Sequence, residues 1–93
     1  MRRIDSTYRT YTLRLLRLVD YVARHGGVSA RELVEEIGFS RATLYRAIRD
    51  LRLALGARVA YDRRNREYGV QSWGVIDPAA ARRQLRSARP KKT

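Results

Sequence analysis

Val28-Ser-Ala-Arg-Glu-Leu-Val-Glu-Glu-Ile-Gly-Phe-Ser-Arg-Ala-Thr-Leu-Tyr-Arg-Ala-Ile-Arg-Asp-Leu51 decides how this chain folds. Ser29-Ala-Arg-Glu32 has the spacing of a capping box, in which the serine hydroxyl accepts from an orphan N–H and the glutamate reaches back. Leu33, Val34 and Ile37 then form one apolar stripe at helical spacing. Gly38 stands where a helix ends in a left-handed residue, a conformation glycine adopts without steric cost. Phe39 is placed to seal that end, and Ser40 to N-cap the next helix. The stretch therefore predicts a short helix, a turn over Gly38 to Ser40, and a second helix from about Arg41 to Leu55.

In that second helix Leu44, Ile48, Leu51 and Leu55 fall on one line when each residue is turned by roughly 100°. Ala42, Arg46 and Arg49 fall on the opposite side, flanked by Thr43 and Tyr45. A helix anchored by one face leaves the other free, and this pairing is the pattern that places a second helix in the DNA major groove. Arg46 is the candidate for a bidentate contact with guanine, with Arg41 and Arg49 beside it. Ser40 and Thr43 are candidates to hold phosphates, Tyr45 flanks the reading face, and small Ala42 lets the backbone come close. The competing reading of such arginines is an ordinary solvated face. For Tyr45 it is a partly buried position.

The 93 residues make one domain with a small core. Twenty-one basic against nine acidic residues, a net charge of +12, point to a polyanionic partner, double-stranded DNA above all. Nineteen of the basic residues are arginine, which suits bidentate phosphate and base contacts. A GC-rich coding genome would produce the same bias. No apolar run near 20 residues, lipidation signal or signal peptide is present, so a cytoplasmic, nucleoid-associated location is expected and a membrane role is not. The absence of cysteine excludes disulfides and thiolate metal sites. His25, the single histidine, precedes Gly26-Gly27 and reads as a helix-end cap. No serine–histidine–carboxylate set and no glycine-rich phosphate loop appears. Catalytic residues, metal and cofactor are therefore not expected.

Outward from the central stretch, residues 1–11 read as an N-terminal arm. A first helix is expected from Thr7 or Thr10 to Arg24, burying Leu15, Val19 and Val22, backed by Leu16 and Ala23. Tyr8 and Tyr11 continue that face, packing on the core or on a second subunit. After Gly56 the period becomes alternating: Val59 and Tyr61 are answered by Tyr68 and Val70, a β-hairpin with its tip at residues 62–67. Asn65 is the residue expected to take positive φ there. Arg63, Arg64, Asn65 and Arg66 are candidates for contact with the DNA backbone or minor groove, against the alternative of a solvated turn. Gln71 to Asp77, with Trp73, Val75 and Ile76, reads as a last extended piece over the core. Asp77-Pro78 reads as an N-cap followed by proline at the first helical position, opening a helix to about Ala88. The segment after Asp77 carries six basic residues and no acid. It reads as a basic helix or tail, residues 78–93, that adds non-specific affinity, with Ala81, Leu85 and Ala88 as an alternative docking stripe. Leu53 lies on the polar side of the second helix and is expected to be covered within the chain, by the wing or the N-terminal arm, with a partner subunit as the alternative. The fold class is mainly α with a small β-hairpin: a three-helix core plus wing over residues 1–77, followed by the basic segment.

From Arg14 to Val70, about 60% of the chain, the sequence resembles the winged helix-turn-helix of DeoR-type and WYL-type bacterial transcription regulators. The resemblance is carried by Arg14-Leu-Leu-Arg-Leu-Val-Asp-Tyr-Val22, Val28-Ser-Ala-Arg-Glu-Leu33 and Phe39-Ser-Arg-Ala-Thr-Leu-Tyr-Arg46 with Ile48 and Leu51. Gly56, Val59-Ala-Tyr-Asp62 and Tyr68-Gly-Val70 complete it. It implies sequence-specific DNA binding by the helix at Arg41 to Leu55, with a wing at Arg63 to Arg66. The expected protein is a bacterial or phage transcription regulator, a repressor, acting as a homodimer because one module buries little surface on DNA. Three features depart from the family pattern. An Arg-Asp-Ile run is replaced by Arg46-Ala47-Ile48, Glu67 stands where glycine usually precedes the return tyrosine, and no sensor domain is included. No small-molecule ligand is therefore expected. Two rivals share the fold and charge: an excisionase-like architectural accessory of phage type, and a protein-interaction winged helix with an acidic partner.

Overall fold

A long helix carries the fold. In the computed structural model, which describes residues 3–88 and the side chains of residues 10–87, α1 spans Arg3–His25. Neither glycine nor proline interrupts the chain before Gly26, so the helix begins earlier than expected and takes in most of the presumed arm. Tyr8 lies outside the described side chains. At the other end His25 Nδ1 lies 2.8 Å from the Tyr21 carbonyl, the capping role its position predicts.

α2 (Ala30–Ile37) and α3 (Arg41–Leu55) begin and end where the local signals place them. Ser29 Oγ accepts from the Glu32 N–H at 3.1 Å, and Ser40 Oγ from the Thr43 N–H at 3.1 Å. Gly38 sits at φ 86° and donates its N–H to the Val34 carbonyl. Only half of the expected capping box forms. The Glu32 carboxylate turns to α1 instead, accepting from the Tyr21 hydroxyl at 2.5 Å. That hydrogen bond, ahead of desolvation, pushes the Tyr21 phenol up to about 12.

β1 (Arg58–Asp62) and β2 (Glu67–Ser72) form one antiparallel hairpin, with Val59 opposite Val70 and Tyr61 opposite Tyr68. Val28 and Tyr68 exchange both backbone hydrogen bonds, at 3.1 and 2.7 Å, tying the hairpin to the approach of α2. The core gathers Leu18, Val19 and Val22 from α1, Val28, Leu33 from α2, and Leu44 and Leu51 from α3. Ala47 is fully buried between the α3 leucines, while Ile48 and Leu55 are half-buried. The inward face of α3 is thus turned slightly from the expected line. A buried Ala47 leaves no solvated place for a carboxylate at that position.

The segment after β2 differs from the extended piece expected. β2 ends at Ser72, Gly74 and Val75 form a turn, and Trp73 and Ile76 cover the core while Val75 is 79% exposed. Gly74 sits at φ 60°, and a Cβ there would lie 2.1 Å from the Leu55 carbonyl oxygen, so the chain crosses the end of α3 where only glycine fits.

α4 (Pro78–Ala88) opens on Asp77, whose Oδ1 accepts from the Ala79 N–H at 3.1 Å. It packs on α1 rather than standing free: Ala81 is buried, Leu85 half-buried, and Arg82 reaches Asp20. The docking alternative describes this helix, and residues 78–88 pack with the rest of the chain. The Ala88 side chain, Arg89, Lys91 and Lys92 lie outside the described residues. Among the described residues the architecture is mainly helical, four helices and one small hairpin. Among the described residues no helix is long and apolar enough to cross a membrane.

Candidate nucleic-acid interface

Burial of Leu44, Ala47 and Leu51 leaves the other side of α3 in water. Ser40, Arg41, Ala42, Tyr45, Arg46 and Arg49 are exposed there, and Thr43 is half-buried. The Ser40 hydroxyl donates to Thr43 Oγ1 at 2.9 Å, which leaves the Thr43 hydroxyl proton free to donate outward. Both groups sit at the positive end of the α3 dipole, beside N–H groups suited to an anion.

Arg41 and Tyr45 lie where the first turns of α3 meet the hairpin. The Tyr61 and Tyr68 rings are 4.9 Å apart, and the Tyr68 phenol is pushed up first by burial and then by Tyr45 and Tyr61, with Arg41 opposing. Tyr45 is therefore an exposed neighbour of the hairpin, not a core residue.

Arg46 faces α1 instead. Its guanidinium carbon stands 5.8 Å from the centre of the Tyr11 ring, and the Tyr11 hydroxyl donates to Asp50 Oδ2 at 2.6 Å. Burial and the Asp50 hydrogen bond raise the Tyr11 phenol, against the lowering effect of Arg46. Asp50 was not among the residues singled out by sequence, and Tyr11 was assigned only to packing. The available signal was the spacing of Arg46 and Asp50, one helical turn apart.

Arg63, Arg64, Asn65 and Arg66 are all exposed at the hairpin tip. Asp62 organises the turn: its Oδ1 accepts from the Arg64 N–H at 2.9 Å, its Oδ2 from the Asn65 side-chain amide at 2.9 Å, and its carbonyl from the Arg66 N–H at 2.7 Å. Positive φ falls on Arg66, at 59°, and not on Asn65. With Asn65 pinned to Asp62, the last loop residue makes the left-handed step back into β2. For a non-glycine residue that step costs about 1–2 kcal/mol.

Leu53, expected to be covered, is 68% exposed. A groove of about 730 Å³ lies away from the α3 face, between α1, the end of α2 and α4, with Leu13, Arg17, Leu85 and Arg86 on its walls. Among the described residues no group of three or more histidine, aspartate or glutamate side chains could hold a metal. No protein family, no curated protein and no solved structure matches the chain.

Proposed function

We propose that this chain is a winged helix-turn-helix regulator of transcription that reads double-stranded DNA. In this reading α3 enters the major groove, Arg46 contacts guanine with Arg41 and Arg49 beside it, and Ser40 and Thr43 hold phosphates. The hairpin is the wing, and Arg63, Arg64 and Arg66 lie along the backbone or minor groove. Two copies bind paired half-sites and repress the neighbouring promoter.

The observation that supports it most is the state of α3: a helix capped at both ends, buried by one face, with four exposed arginines, Arg41, Arg46, Arg49 and Arg52, away from it. A net charge of +12 supplies the phosphate attraction. A left-handed arginine at the hairpin tip, where glycine would be easier, fits a residue kept for contact rather than for stability.

Selection of sites from a random DNA pool at about 150 mM salt tests the reading, because that salt weakens non-specific phosphate binding. Inverted half-sites one or two helical turns apart are expected. Arg46→Ala should erase preference for one base pair, a loss of about 1–3 kcal/mol at the selected site. Binding only at low salt, with no enriched sequence, overturns sequence reading. Cooperative footprints with DNA bending would then favour the architectural alternative, which the same charge supports.

A further inference from the structure

We infer that Tyr11 is a positioning residue for Arg46: its hydroxyl holds Asp50 Oδ2 and its ring holds the guanidinium, and together they keep that acid from drawing Arg46 out of the groove. The inference rests on the assignment of α3 as the DNA-reading helix.

Three contacts carry it. Tyr11 and Asp50 are 39 residues apart in sequence, and their hydrogen bond of 2.6 Å is part-buried. The Tyr11 ring lies beneath the Arg46 guanidinium at 5.8 Å, within the reach of about 6 Å at which a cation is held by an aromatic face. The same ring packs at 6.3 Å against Phe39, which is buried in the turn before α3. Tyr11 therefore touches α3 at two residues one turn apart, and the turn that leads into it.

Arg46 and Asp50 have the spacing at which opposite charges on a helix pair. Yet among the described residues no ion pair joins them, and Asp50 accepts from Tyr11 instead. An arginine drawn toward Asp50 would lie along the helix axis. Bidentate contact with guanine needs both N–H groups aimed away from the helix. Holding the guanidinium over a ring restricts it before DNA arrives, so less freedom is lost on binding.

Tyr11→Phe keeps the ring and removes the hydroxyl, which frees Asp50 to capture Arg46. Base discrimination at the one position read by Arg46 is expected to fall about 5- to 10-fold, within the range of a single bidentate contact. Adding Asp50→Asn to Tyr11→Phe removes the capturing charge and should restore most of the discrimination. In the DNA-free protein, the Arg46 Nε–H nuclear magnetic resonance signal should shift in Tyr11→Phe and return in the double variant. Unchanged discrimination in Tyr11→Phe overturns the inference. So does an equal loss on all sequences that Asp50→Asn does not rescue, because that is the signature of packing alone. If the wild-type protein shows no base preference while the DNA-free signal behaves as expected, the contact network stands and the DNA-reading assignment of α3 fails.

Discussion

At the seam between α1 and α4, Arg24 and Arg82 converge on one carboxylate, Asp20, at 3.2 and 2.8 Å. On the free face of α3 and at the hairpin tip, Arg41, Arg46, Arg49, Arg63, Arg64 and Arg66 have no carboxylate within salt-bridge distance among the described residues. Both regions are rich in the same residue, and the environment of each differs. The Asp20 side chain is only 7% exposed, so its charge needs partners, and two guanidinium groups supply them. Arg82 also lies over the Trp73 ring at 5.9 Å. At the seam arginine joins helices. On α3 and the hairpin it is exposed and, among the described residues, unpaired with any carboxylate, which is the condition for attracting a polyanion.

The largest perturbation of this contrast is expected where the two regions meet. Gly74 lies on the loop that leaves the hairpin, crosses the end of α3 and leads to α4. Gly74→Ala combines positive φ with a clash against the Leu55 carbonyl and should cost about 3 kcal/mol. Chemical denaturation reads that loss, and an unchanged midpoint would mean the close approach is not made. Asp20→Ala acts on the seam alone. Losing one charge-assisted hydrogen bond, from Arg82, and one ion pair, with Arg24, should cost about 2 kcal/mol, because both arginines retain access to water. Its base preference should match the wild-type protein, and a change there would show that the seam shapes the α3 face. Arg66→Gly acts on the hairpin alone and in the opposite direction. It should stabilise by up to about 1 kcal/mol through relief of the left-handed strain. It should also flatten the dependence of log affinity on log salt by about 0.9 if Arg66 meets a phosphate. A stabilised variant with an unaltered slope would remove Arg66 from the interface.

Most of α2, α3 and the hairpin was legible in the sequence. Ser29, Gly38, Ser40 and Gly56 act on backbone groups within four residues, so their effects can be read from the sequence around each. The candidate residues on α3 were legible for the same reason: helical spacing alone separates Leu44 and Leu51 from Arg46 and Arg49. Readings that depended on a distant partner fared differently. Glu32 has the spacing of a capping box but finds Tyr21 on α1. Asn65 has the strongest local claim to positive φ, yet its amide binds Asp62 and the left-handed step passes to Arg66. Leu53, expected to be covered within the chain, is exposed, because no spacing around it tells where a distant neighbour will pack.

The order of elements, the turn between α2 and α3, and the side of α3 that faces solvent were set by local chemistry: caps, glycines and apolar spacing. Which arginines stay free and which are bound was settled by folding. Arg82 meets Asp20 across 62 residues and Tyr11 meets Asp50 across 39, pairings that no periodicity encodes. A charge on a chain has no fixed role until packing sets how much water and which partners surround it.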